Sequence, residues 1–328
     1  MFRSIGTIVV SGLLTISSGL SAGEEGRKLP KIGELFGSNP SASKPYDQAL
    51  RNGLRDLGYA EGKNVMILAR YANGDNTRFP ALLAELVALD VDVLVVTPTA
   101  AHAAKRATSR IPIILPSFGD PVKAGLVASL ARPGGNITGQ SAAAPETDEK
   151  LLELTMETLP GLKRLGVLFE SEPGIASAYA EESAYGEIAR RHGVTLRQYE
   201  VKSLENIQSA IKRIAQDRIQ AVFVVSTYLT VLHREPIVAG LAAERVPVVS
   251  AGRDMAEAGA LLTYSPDYFD LWKRSATYVD KILKGAKPGD LPIEQPTKFE
   301  LIVNSRVADT FRVTIPESVL VRADHVLR

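Results

Sequence analysis

Apolar β-branched runs alternate with helical stripes along most of this chain. In Val93-Leu94-Val95-Val96 such a run stops abruptly at Thr97-Pro98-Thr99, and alanines and basic residues suited to a helix follow. The pattern predicts a buried parallel strand over 91–96, a tight turn, and a helix beyond it. Thr97 is placed to act as N-cap and Pro98 as the first helical residue. The N–H groups of Thr99, Ala100 and Ala101 then point off the strand end, where they can hold an anion. Similar runs predict strands over 31–36, 65–71, 111–116, 137–139, 165–169, 195–201, 221–225, 246–250, 261–264 and 299–303. Between them, stripes such as Tyr46, Leu50, Leu54, Leu57 and Leu204, Ile207, Ile211, Ile214 recur at helical spacing. A second copy of the strand-to-helix device is read at 117–122, with Asp120 as cap and Pro121 as first helical residue.

This alternation argues for an α/β fold with parallel sheets covered on both faces. Two series of similar length, 31–139 and 163–264, predict two similar Rossmann-like lobes. Lobe 1 is expected to hold 30–141 plus about 263–290, and lobe 2 to hold 142–262 plus about 291–328, with hinges at 139–144 and 261–266. In open parallel sheets ligands sit beyond the carboxyl ends of the strands, so two such edges facing each other make a cleft. The polar groups at those ends are Ser38, Thr97, Thr99, Ala100 and Asp120 from the first lobe. Glu170, Ser226, Thr227, Arg253 and Tyr264 come from the second. Asp120 can pair with a ligand amine or cap its own helix. Arg253 can meet a ligand carboxylate or pair with Asp254 or Glu257. Tyr264 can stack on a ligand, whereas Trp272, at helical spacing, reads as core. Glu170 and Glu172 form a carboxylate pair better suited to capping or solvation than to acid–base chemistry.

Composition narrows the classes. The 328 residues carry a formal charge of +1 with no basic cluster, which speaks against a nucleic-acid partner. The absence of cysteine excludes disulfides, thiolate catalysis and Cys-based zinc sites. Four scattered histidines form no metal-spaced pair, so no metal and no cofactor are expected. There is no Gly-rich nucleotide fingerprint, no nucleophile elbow and no nucleophile–base constellation, so an enzyme is not expected. Arg3, a short apolar core over 5–16 and small residues through Ser21-Ala22 have the layout of a secretory signal spanning 1–22. Cleavage after Ala22 removes one of the 38 basic residues and balances the 37 acidic ones.

Several segments together resemble a bacterial family. They are Leu57-Gly58-Tyr59-Ala60-Glu61-Gly62-Lys63-Asn64-Val65, Gly119-Asp120-Pro121-Val122-Lys123-Ala124-Gly125-Leu126, Arg132-Pro133-Gly134-Gly135-Asn136-Ile137-Thr138-Gly139 and Gln295-Pro296-Thr297-Lys298-Phe299-Glu300-Leu301. The family is that of the ABC-transporter substrate-binding proteins, which includes tryptophan- and tyrosine-uptake members, and the resemblance runs from about residue 30 to 327. It implies a type I periplasmic-binding-protein architecture. It also implies a small polar organic ligand, an amino acid or a relative of one, held between the lobes and passed by a periplasmic monomer to a membrane permease. Glu170-Ser171-Glu172-Pro173 departs from the Asn-Pro-rich loop of many relatives, and two acidic groups there would disfavour a ligand carboxylate. The alternative is a ligand-sensing domain of a receptor or regulator with the same fold.

Overall fold

The computed structural model describes Met1 and residues 29–142, 145–171 and 175–328. The expected signal segment after Met1, the hinge residues Ala143 and Ala144, and Glu172 and Pro173 lie outside the described residues. The first lobe begins with β1 (Lys31–Phe36), α1 (Pro40–Asp56), β2 (Met66–Tyr71) and α2 (Phe79–Ala88). It continues through β3 (Val93–Val96), α3 (Ala101–Ala107), β4 (Ile113–Phe118) and β5 (Ile137–Ser141). All five strands are parallel, in the order β2-β1-β3-β4-β5. Alternation along β1 sends Gly33 and Leu35 towards α2 and α3, and Ile32, Glu34 and Phe36 towards α1.

The second lobe takes α4 (Pro145–Thr158), β6 (Arg164–Glu170), α5 (Ile175–Ala178), α6 (Ala184–Arg191), β7 (Thr195–Val201) and α7 (Leu204–Gln216). Next come β8 (Ala221–Val224), α8 (Tyr228–Leu232), α9 (Arg234–Ala243), β9 (Val248–Ser250), α10 (Arg253–Glu257) and β10 (Leu262–Pro266). Its order, β7-β6-β8-β9-β10, repeats the 2-1-3-4-5 order of the first lobe. β11 (Phe299–Asn304), antiparallel to β10, and β12 (His325–Leu327) extend the sheet to seven strands. Buried apolar layers lie on both faces: one against α4 and α6, the other against α7 and α9. The short helices α12 (Ser305–Phe311) and α13 (Glu317–Arg322) close the C-terminal end.

α11 (Tyr268–Leu283) leaves the second sheet and packs on the first lobe beside α1. The lobe boundaries therefore move from the sequence expectation. Residues 262–266 belong to the second sheet, because β10 is hydrogen-bonded between β9 and β11. Residues 291–294 stay with the first lobe: Ile293 N–H donates to Leu130 O at 2.7 Å, and Gln140 pairs with Glu294. The chain crosses between lobes after β5, at Asp267, and over 295–298. Lys298 Nζ, 2.6 Å from Asp270, braces the last two crossings together.

One other expectation changes. No helix follows Pro121. Val122 and Lys123 N–H bond to Asp120 Oδ1 at 3.0 and 2.9 Å, and Gly125 then turns the chain at φ +67°. Gly139 sits at φ +133°, where a Cβ would lie 2.2 Å from Leu115 O, so glycine alone lets β5 approach β4 there.

Candidate functional site

The carboxyl ends of the two sheets face each other across a cleft of about 430 Å3. From the first lobe, Ser38 follows β1, Thr97 and Pro98 follow β3, and Ser117 and Gly119 mark the end of β4. From the second lobe come Ser226 after β8, Ala251 and Gly252 after β9, and Asp254 and Met255 on α10. Among the described lining residues Asp254 is the only charged one.

An aromatic wall closes the first-lobe side. Phe36 stacks on Trp272 at 5.3 Å between centroids, Trp272 meets Tyr46 at 5.7 Å, and Tyr46 meets Phe269 at 5.1 Å. The wall exists because α1 brings Tyr46, and α11 brings Trp272 and Phe269, to the end of β1. Gly53 permits that approach: a Cβ on it would sit 2.1 Å from Lys273 O. Tyr46 Oη reaches across the cleft and donates to Asp254 Oδ2 at 3.5 Å. Burial, and then the Asp254 charge, push the Tyr46 phenol far above its ordinary value. Tyr268, at the mouth of the second crossing, is pushed up to about 12 by burial and then by Asp148.

The hydroxyls on the opposite walls are held in place. Ser38 Oγ lies 2.6 Å from Ser43 Oγ. Thr97 Oγ1 accepts from Gly37 N–H at 3.1 Å, and Ser226 Oγ donates to Ala251 O at 2.9 Å. A Cβ at position 37 would come within 2.9 Å of Thr99 Oγ1, so this loop too is shaped by a glycine.

Of the ten residues read from the strand ends, Ser38, Thr97 and Ser226 line the cleft. The other seven are engaged elsewhere. Thr99 is exposed beside Thr97, and Ala100 is buried in the core under α3. Asp120 caps its own turn. Glu170 accepts from Leu229 N–H at 2.9 Å, so its charge is turned to the start of α8. Thr227 N–H bonds to Thr230 Oγ1 at 2.9 Å. Arg253 pairs with Glu300 rather than with Asp254 or Glu257, and His325 shares that carboxylate at 3.2 Å. Tyr264 stacks on Phe299 at 5.7 Å, packed against the second-lobe core.

The anion nest expected after β3 is also absent. Ala100 N–H donates to Thr97 O at 3.0 Å and Ala101 N–H to Pro98 O, because a turn of 3-10 helix precedes α3. Tyr46, Ser117, Asp254 and Tyr268 were not among the sequence candidates. Trp272, read as core, is 3% exposed and also forms part of the wall. A polar residue just past a strand-end glycine, as Asp254 follows Gly252, is the signal that could have found one of them.

Residues 36–327 match the family model described as ABC transporter substrate binding protein. A tyrosine-binding protein of Clostridioides difficile is 26% identical over 319 residues, covering 92% of this chain and 90% of that protein. A conserved domain protein of Vibrio cholerae is 31% identical, with a TM-score of 0.83 over 91% of this chain and all of that one. An ABC domain of Streptococcus pneumoniae, solved in complex with L-tryptophan, is 27% identical, with a TM-score of 0.84 over 92% of this chain and 100% of that one.

Proposed function

This chain belongs to the family of ABC transporter substrate-binding proteins, and we propose that it holds an aromatic amino acid between its lobes and delivers it to a membrane permease. Its architecture is the type I periplasmic-binding fold. One observation carries the choice of ligand: the cleft opposes an aromatic wall to a single carboxylate and several oriented hydroxyls. The ligand ring lies against Trp272 and Tyr46. Its ammonium pairs with Asp254, and its carboxylate takes hydrogen bonds from Ser38 and Thr97. The names of two relatives, one binding tyrosine and one solved with L-tryptophan, support that reading.

Burying about 200 Å² of aromatic surface contributes about 5 kcal/mol gross, before the cost of ordering ligand and lobes is deducted. Asp254 and Ser226 lie on one lobe, and Trp272 and Thr97 on the other. A ligand that touches both binds the closed arrangement better and shifts the population towards it. The site is complete in one chain, in keeping with a monomer. The signal-like segment 1–22 supports export, and among the described residues no helix is long and apolar enough to cross a membrane.

Thermal denaturation with a panel of amino acids tests this. L-tyrosine or L-tryptophan at a hundredfold excess over Kd should stabilise the protein by about 2.7 kcal/mol. Alanine, and an aromatic acid lacking the ammonium, should not. Equal stabilisation by 3-phenylpropionate would remove Asp254 from the account. No stabilisation by any amino acid would remove the ligand class.

A further inference from the structure

Glu34 stands in the middle of β1 with no exposed surface. Strand alternation sends it to the same face as Ile32 and Phe36, into the seam with α1. Among the described residues, neither of its carboxyl oxygens meets a hydrogen-bond donor. The nearest cation, Arg51 Nη2, is 3.9 Å away, and it is already engaged by Asp47 at 2.7 Å and by Glu61.

The charged and titratable groups facing Glu34 come from three elements. α1 supplies Asp47 and Arg51, the loop after it supplies Glu61, and β2 supplies Tyr71. The α11 side contributes Trp272, Ala276 and Val279, which carry no charge. Three carboxyl groups thus surround one guanidinium, and two of them, Glu34 and Asp47, are within hydrogen-bonding reach of each other. A fully buried carboxylate beside a half-buried one that already holds the guanidinium is poorly placed to ionise, and a proton shared between them is the arrangement that satisfies both.

We propose that Glu34 is an uncharged carboxylic acid that donates its proton to Asp47 across the β1–α1 seam, and that its ionisation is a pH-sensitive release for the first-lobe wall of the cleft. Burial first, and Asp47 second, hold its carboxyl well above the usual range. Folding therefore binds a proton at this site. The stability it brings is present at low pH and is lost as pH rises from the ordinary carboxyl range through the raised folded value. The loss is felt at the cleft because α1 also carries Ser43 and Tyr46, and Phe36 lies two residues along β1. An ionised Glu34 draws Arg51 inward from Glu61 or admits water beneath the stack of Tyr71, Phe36 and Trp272.

The test needs no ligand, so its failure is separate from failure of the ligand assignment. Trp272 is the only tryptophan in the chain, and its emission reports on this wall. In the full protein, titrated from about pH 5 to pH 9, wild-type emission and melting temperature should both change with pH. In Glu34→Gln, which keeps a donor towards Asp47, that part of the response should vanish. Asp47→Asn should move the wild-type transition to lower pH, since it removes the like charge and frees Arg51 for Glu34. If Glu34→Gln fails to fold, the direction of the Asp47→Asn shift decides. Identical pH responses in wild type and Glu34→Gln, or no shift in Asp47→Asn, would overturn the proposal.

Discussion

Replacing Gly53 by alanine tests whether the α1–α11 seam holds the aromatic wall together. In the wild-type structure the added Cβ would lie 2.1 Å from Lys273 O and 2.8 Å from Ala276 Cβ. Ordinary contact is roughly 3.4 Å or more, so the helices must part by about 1 Å. Alanine is better than glycine inside a helix by about 1 kcal/mol. Overpacking costs about 1–3 kcal/mol, and a backbone carbonyl as the obstacle, which no rotamer change relieves, puts this case at or above the top of that range. The parted seam also loosens Leu50, Leu54 and Val279, which are buried beside it. The net expectation is a loss of about 2 kcal/mol or more. At ~2–4 °C per kcal/mol for a unit of this size, that is a fall of at least roughly 4–8 °C in melting temperature. Thermal unfolding followed by Trp272 emission measures it, with affinity for L-tyrosine as second readout, because Tyr46 and Trp272 sit on the two parted helices. Gly58→Ala is the control. It meets nothing within 4 Å and pays only for φ +87°, at about 1–2 kcal/mol, with no effect on the cleft. An unchanged or raised melting temperature in Gly53→Ala would refute the argument.

Three further outcomes are expected. Asp254→Asn should weaken binding of L-tyrosine or L-tryptophan roughly 10- to 150-fold by calorimetry, the worth of a charge-assisted hydrogen bond. Gly139→Ala should destabilise the protein by more than about 3 kcal/mol in denaturant titration, because the Cβ would enter the Leu115 backbone and the φ of +133° is strained as well. Asp148, raised by burial against the lowering effect of the Tyr179 hydroxyl at 2.8 Å, holds its proton longer when folded and so costs stability as pH rises above the ordinary carboxyl range. Asp148→Asn should therefore raise the melting temperature at pH 7–8 and not at about pH 3.

The sheets and long helices were legible because each rests on a local pattern. Val93-Leu94-Val95-Val96 can only be buried on both faces, and the Leu204–Gln216 stripe only on one. The second copy of the capping device failed because Asp120-Pro121 signals a start and Gly125 ends the turn almost at once. Among the site candidates, Arg253 was misread because its partner, Glu300, lies 47 residues away, whereas Thr97, which takes the Gly37 N–H from 60 residues away, does line the cleft. Strand-end position selects residues that can face a cleft, whereas long-range pairing decides which of them do. Glu34 was invisible for a related reason. One polar residue in an apolar strand normally marks a solvent face, and here both faces are covered, by α1 with α11 and by α2 with α3.

The property to measure is whether the cleft takes an aromatic amino acid. Isothermal titration of the protein, stripped of any solute by partial unfolding and refolding, with L-tyrosine and then L-tryptophan measures this. One saturable site per chain for at least one of them, abolished or strongly weakened in Asp254→Asn, is the predicted result. Absence of binding heat for both, in protein whose Trp272 emission reports an intact fold, would contradict it.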